Sequence, residues 1–369
     1  MTTARSIALR RSMTLAAALA TAAASCTLLN PLDHLQARLG EPQPDGATGQ
    51  DGGGGAADGA TGDADDAPGC GASRWAECGV SIVATPKQPG DALVTDFGFF
   101  FSDEATGEIY TTQCASAGCE PPTVRVSGED TPSRLAFAAD SLFWTTRTAV
   151  RRLRVVATPD ASPSVETIDP IEGSTRITAK YPHVVWTDSK GARGWPLNGS
   201  VMTLWSKPAA SPSVGFEGPL FVSEGQVKAC KWDVVGTNCP SAATVDASAG
   251  AELVYWAPLF GNGLLTPLQG IVAGIAQDGG TRLVVLDHVD EAGAPFVLSD
   301  EVDAVRAIAA SGPYLYWTNA AGQLRRRPKD ASTVTIVLRG LSGDATLSAN
   351  DALLFIADRG NKQVLLYAP

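Results

Sequence analysis

The sequence predicts an all-β body of short, repeated strands carried behind an exported N-terminus. Three observations lead there. With 38 Gly and 24 Pro in 369 residues, regular structure is interrupted too often for a coiled coil or an ordinary helical bundle. An apolar string with a central anchor, closed by a small or polar residue, recurs through residues 91–369. Residues 41–69 contain seven acids and no base, aromatic, Leu, Ile or Val, so that segment has nothing to bury.

The chain opens with Arg5, Arg10 and Arg11, then the uncharged run 13–25. This is a charged region followed by an apolar one too short to span a bilayer, the layout of a signal peptide. The run ends Ala23-Ala24-Ser25-Cys26. Small residues before Cys resemble a bacterial lipobox, although Ala23 stands where Leu is usual. That resemblance implies cleavage before Cys26 and lipidation of Cys26. In a Gram-negative cell, Thr27 beside it resembles the outer-membrane default. Removing residues 1–25 takes three Arg and no acid from 28 basic and 39 acidic residues, changing the net charge from −11 to −14. An acidic surface disfavours nucleic acid and anionic membrane as partners.

Asn30-Pro31-Leu32-Asp33 reads as a short helix start, with Gly40 placed to end it. The acidic segment follows, with DGATG at 45–49 and again at 58–62. Residues 26–69 are therefore expected to form a disordered tether. Its 29-residue Gly/Asp/Ala-rich part would have an r.m.s. span of roughly 30 Å. The folded body is expected over 70–369.

Apart from Cys26, six cysteines remain: Cys70, Cys78, Cys114, Cys119, Cys230 and Cys239. An even set in an exported chain reads as disulfides. Sequence leaves about fifteen pairings open, and near neighbours are the simplest of them. None of the gaps is that of a zinc ribbon, and the chain has three His, so a metal site is disfavoured.

Eight strings carry the repeat, with anchors Phe101, Trp144, Trp186, Val222, Trp256, Leu286, Trp317 and Ile356. They lie 43, 42, 36, 34, 30, 31 and 39 residues apart. A strand and a turn precede many of them, as in 135–141, 307–313 and 346–352. A second alternating strand follows, as in 107–112, 225–231, 322–328 and 361–367, and then a third, as in 333–338. Four strands per unit of about 40 residues is a β-propeller blade. Seven blades are expected, within a range of six to eight. Residues 259–280 fit the template poorly and the 30- and 31-residue intervals are short, so one anchor is suspect. The chain ends after a third strand, and SIVAT at 81–85 is expected to supply the fourth, closing the ring.

The strings LYWTN at 315–319 and VVWTD at 184–188 resemble the YWTD-type propeller repeat, with LFWTT at 142–146 and LFIAD at 354–358 as partial copies. The resemblance implies that the string sits on the blade's second strand and that its final residue is structural. Those final residues are Asp103, Thr146, Asp188, Glu224, Pro258, His288, Asn319 and Asp358. Turn capping is the expected role. The alternative is a ring of carboxylates holding a hard cation, which would resemble lactonase-type propeller hydrolases.

The body's histidines, His183 and His288, each adjoin an anchor, and no G-x-S-x-G, H-E-x-x-H or P-loop string occurs. The runs Arg151-Arg152-Leu153-Arg154 and Arg325-Arg326-Arg327 are expected on exposed strand faces. Among the other tryptophans, Trp75, Trp195, Trp205 and Trp232 are expected in the core, although a surface loop also suits Trp195 and Trp205. The resulting expectation is a monomeric, outer-membrane lipoprotein that binds a protein or glycan without catalysis or cofactor. The membrane would be met through Cys26 alone. A metal-dependent propeller hydrolase is the alternative.

Overall fold

The computed structural model describes residues 69–369 except 116–117, 156–163, 174, 198, 215–217, 225, 231–240, 244–252, 257–269, 278–279, 290–294, 312, 329–331 and 351. The expected signal peptide, Cys26, the short helix and the tether up to residue 68 lie outside these, as do Trp232, Cys239 and Pro258.

The anchor strings are strands with both faces covered. Gly98–Asp103, Ser141–Thr145, Pro219–Ser223 and Leu354–Asp358 are buried at every position. Successive strand residues point to opposite faces, so a continuous apolar run implies a neighbour on each side. Phe99 and Phe101 pack with Phe355 and Val364, while Phe100 between them packs with Leu135, Leu142 and Trp144.

These strands belong to seven four-stranded antiparallel sheets. The first sheet contains Pro89–Thr95, Gly98–Asp103, Glu108–Thr112 and Thr123–Val126. The second contains Leu135–Ala138, Ser141–Thr145, Ala149–Arg154 and Val165–Pro170. Arg176–Lys180, His183–Asp188, Gly191–Pro196 and Met202–Trp205 form the third. Ala210–Val214, Pro219–Ser223, Gln226–Ala229 and Ser241–Ala243 form the fourth. The fifth contains Leu253–Trp256, Gly270–Gln277, Gly280–Val289 and Pro295–Glu301. The sixth contains Val305–Ser311, Tyr314–Asn319, Gln323–Pro328 and Thr335–Arg339.

The seventh sheet is made from both ends of the described chain. Ala345–Ala349, Leu354–Asp358 and Gln363–Tyr367 are joined by Val80–Ala84, with Val80 opposite Tyr367 and Ile82 opposite Leu365. The expected closing strand is therefore present. The first strand of each sheet contacts the first strand of the next, and the seventh returns to the first.

The fifth sheet corrects the reading of two anchors. Trp256 lies on its first strand and Leu286 on its third, while its second strand is Gly270–Gln277. Both anchors thus belong to one sheet. Residues 259–280 fit the template poorly because the second strand there is GIVAGIAQ, without an aromatic anchor.

Charged residues stitch neighbouring sheets together. Trp144 donates its indole N–H to Glu129 at 3.1 Å, and Arg151 grips the same carboxylate at 3.2 Å. In the third sheet, Trp186 donates to Asp169 at 3.2 Å, and Arg193 pairs with Asp169 at 2.5 Å. In the sixth, Arg325 reaches Glu301 at 2.7 Å. In the last two cases the acid lies on the outer strand of the preceding sheet. The expectation of exposed arginine runs is corrected here. Arg152 is buried, hydrogen-bonded to Ser141 and stacked over Trp195, and Arg327 is buried and donates to the Leu298 carbonyl at 2.6 Å. Alternation puts some arginines of each run between sheets, where ring faces and backbone carbonyls receive them.

The third strands of the third and sixth sheets begin beside a tight approach. A Cβ on Gly191 would lie 1.9 Å from the Trp205 carbonyl oxygen, and one on Gly322 the same distance from that of Leu341. Both glycines have positive φ, which side chains disfavour.

Candidate functional site

Antiparallel pairing gives every sheet two ends. Strands one and two join at one end, and strands two and three at the other. The expected carboxylate ring belongs to the second end.

Three of its four acids are engaged with backbone. Asp103 accepts N–H bonds from Lys87 at 2.9 Å, Gln88 at 3.0 Å and Ala105 at 3.0 Å. Asp188 accepts from Lys190 at 2.8 Å and Gly191 at 3.1 Å, and is paired with Arg193. Asp358 accepts from Ser342 N–H at 3.2 Å, from the Ser342 hydroxyl and from Asn361. Asn319 accepts from Gln323 N–H at 3.0 Å, and Thr146 from Ala149 N–H at 3.1 Å. In the first, third and seventh sheets the acid holds a backbone N–H 16 residues upstream, on the segment entering the first strand. Asp103, Asp188 and Asp358 are buried, and such charge-assisted bonds to turn N–H groups are strong. Glu224 is exposed and paired with Lys207 at 2.6 Å. The four acids stand on four different sheets. Among the described residues, no three His, Cys, Asp or Glu side chains are grouped to hold a metal.

The two histidines lie on different sheets. His183 opens the second strand of the third sheet, and His288 lies on the third strand of the fifth. Burial lowers the His183 pKa by penalising the imidazolium. Trp195 and Trp205 are strand residues. Trp195 donates to Gly199 O at 2.8 Å and Trp205 to the Ser223 hydroxyl at 2.8 Å. Trp75 is buried and donates to Arg339 O at 3.0 Å.

The opposite end holds a cavity of about 400 Å³. First strands of the seventh, first, second and third sheets line it, and their Thr95, Ala179 and Ala349 ends share its mouth. Leu93, Leu135, Phe137 and Ile177 line it beside Thr95, Asp96, Thr178 and Asn350, and Leu135 and Ile177 are buried in the clusters between sheets. Ser348 accepts Val94 N–H at 3.0 Å, linking the seventh sheet to the first. Among the described lining residues Asp96 is the charged one, and it is exposed.

Two exposed aromatics flank this mouth. Phe97 is 43% exposed and its ring lies 5.2 Å from that of Phe137. Tyr181 is 70% exposed, two residues beyond the lining residue Ala179. The turn carrying Phe97 is braced from behind. Thr95 accepts Phe97 N–H at 3.1 Å, and Gln113 donates to Phe97 O at 3.0 Å. Gln113 adjoins a two-stranded ribbon, Cys114–Ala115 with Gly118–Cys119, closed by the Cys114–Cys119 disulfide.

Cys70 and Cys78 form a second disulfide across the 3₁₀ helix Ala72–Cys78. Cys230 is also disulfide-bonded. The cavity lies at the first-strand ends, whereas the sequence repeat marks the ends of second strands. In the sequence this end is marked only by Phe97 and Tyr181, aromatic residues in turns between first and second strands.

No protein-family model and no curated protein sequence matches the chain. Solved structures do. The WD40 β-propeller domain of Doa1 is similar at TM-score 0.53 and 13% identity, over 79% of this chain and 97% of that one. The fold is a β-propeller. Streptogramin B lyase is similar at TM-score 0.57 and 11% identity, over 78% of this chain and 96% of that one. YCF48 bound to D1 peptide is similar at TM-score 0.52 and 11% identity, over 79% and 96%. At these identities the likeness concerns the propeller fold, and the lyase and peptide belong to those proteins.

Proposed function

We propose that this chain is an exported, lipid-anchored propeller of seven YWTD-like blades that binds a protein partner at the cell envelope without chemistry. Cleavage before Cys26 and lipidation there would tether it to the outer membrane, with the acidic segment as spacer. The carrying observation is the cavity at the first-strand ends, lined by polar and apolar residues, with exposed Phe97 and Tyr181 beside it. A cleft of several hundred Å³ is a usual size for a ligand site. Aromatic residues at such a mouth are common binding anchors. Engagement of Asp103, Asp188 and Asp358 by turns weighs against the hydrolase alternative.

The test is photo-crosslinking in cells from a reactive residue placed at Tyr181, with the same residue at Glu224 as the opposite-end control. A defined protein captured from position 181, absent from 224 and reduced in the Cys26→Ala form, supports the reading. Equal capture from both positions, or from neither, overturns it.

A further inference from the structure

We propose that the cavity at the first-strand ends holds a neutral sugar unit carried by the protein partner. This rests on the protein-binding reading above and names the group recognised. Uncharged hydrogen-bonding groups reach the cavity from the seventh, second and third sheets. Asn350 accepts the N–H groups of Ala352 at 3.0 Å and Leu353 at 2.8 Å through Oδ1, which fixes its amide. Its NH2 group has no partner among the described residues and is left to donate. Ser348 accepts Val94 N–H at 3.0 Å and keeps its own O–H to donate. Thr178 is half-buried, and its hydroxyl has no partner among the described residues. Backbone adds to these. Leu135 N–H is turned away from the second strand, to Asp91 at 2.9 Å. Phe137, two residues on, therefore presents its N–H and C=O on the same side.

The rim supplies an aromatic surface. The exposed ring of Phe97 lies 5.2 Å from that of Phe137, a lining residue, and Tyr181 is exposed beside Ala179 at the same mouth. A sugar ring has C–H groups on its faces and hydroxyls around its edge. Aromatic faces receive the first, and neutral donors and acceptors receive the second. An aliphatic guest would instead cover the Asn350 and Thr178 groups without pairing them. Among the described lining residues there is no Lys, Arg or His, so an anionic group would enter uncompensated. Asp96, exposed at the rim, repels an anion further while its oxygens can accept sugar hydroxyls.

The experiment uses the full lipoprotein in a detergent without a sugar head group. Saturation-transfer NMR compares methyl glucoside, methyl galactoside and methyl N-acetylglucosaminide with gluconate, the anionic control. At least one neutral sugar is expected to bind saturably and at least tenfold more tightly than gluconate, a difference of about 1.4 kcal/mol. Asn350→Asp keeps the acceptor for the turn and removes the amide donors. That variant and Phe97→Ser should each weaken sugar binding at least tenfold, and Glu224→Gln at the opposite end should leave it unchanged. The partner crosslinked from position 181, once purified, should bind the propeller and lose that binding on deglycosylation. Failure of all three sugars to bind, binding that ignores both mouth variants, or a partner that binds equally after deglycosylation overturns the proposal. In each of these cases a single partner crosslinked from position 181 leaves the protein-binding reading standing. Sugar binding with no crosslinked protein removes both, since the sugar would then not be carried by a protein.

Discussion

The two ends of the sheets use the same residue types for opposite purposes. At the end where second strands finish, Asp103, Asp188 and Asp358 are buried and hold the backbone that enters the first strand. At the other end, Asp96 is exposed beside a cavity and flanked by Phe97. A carboxylate is therefore not a functional signal by its type or by its place in a repeat. Its engagement decides. The latched acids have their oxygens occupied by N–H donors, which leaves them little capacity for a ligand. Asp96 faces an opening.

The largest expected effect comes from breaking a latch. Asp188→Ala removes a buried carboxylate that caps two turn N–H groups and pairs with Arg193. Arg193 keeps Asp169, but each buried turn N–H left without its acceptor costs about 1–3 kcal/mol, and urea denaturation should show the loss as a fall in midpoint at unchanged slope. A loss below about 1 kcal/mol, the range of exposed pairs, would erase the contrast between the ends. Next in size is the N-terminal clasp. Cys70 is buried, it hydrogen-bonds strand 335–339 through its backbone, and the segment leads into the closing strand Val80–Ala84. Replacing Cys70 and Cys78 by Ser frees a loop whose closure entropy is worth about 2.5 kcal/mol. Breaking Cys114–Cys119 should cost slightly less stability but loosen the turn that carries Phe97. If mouth binding survives loss of Cys114–Cys119 and fails with loss of Cys70–Cys78, the bracing assigned to the ribbon is wrong.

Much of the fold was legible because the blade imposes a strong local rule. A second strand covered on both faces must read as an apolar run, so FFF, LFW, VVW, LYW and LFI all register. The closing strand was legible from the unfinished last unit. The fifth sheet was not, since its second strand, GIVAGIAQ, is made mostly of small and aliphatic residues and carries no aromatic anchor. Trp256 and Leu286 imitated the pattern from neighbouring strands. The inter-sheet stitches were also missed, although Arg follows Trp by seven residues at 144/151 and 186/193 and by eight at 317/325. Their acids lie 15 to 17 residues upstream of the Trp, and only the sheet stacking shows why that distance matters. The cavity was illegible for a different reason. Its wall is assembled from four sheets, so no single segment contains it.

A smaller effect is expected from pH. The lowered pKa of His183 means that the unfolded chain binds the proton more readily than the folded one. Stability from this group is complete above the unfolded value of about 6.5 and is lost as pH falls through the lower folded value. His183→Gln should flatten the midpoint decline below pH 6.5, and an unchanged decline would place the acid sensitivity elsewhere.

The smallest stability effect is expected at the mouth, and it tests the comparison most directly. Tyr181 is 70% exposed, so Tyr181→Ala should change stability by no more than about 0.5 kcal/mol, as surface substitutions do. Asp96→Asn should behave alike, because an exposed carboxylate gives up little on losing its charge. Both should nevertheless weaken partner capture, which the latch variant, measured where it remains folded, should not. That pairing of outcomes separates a residue kept for the fold from one kept for a guest. If Tyr181→Ala lowers stability as far as Asp188→Ala does, the aromatic at the mouth is holding the propeller together, and its exposure no longer argues for a partner.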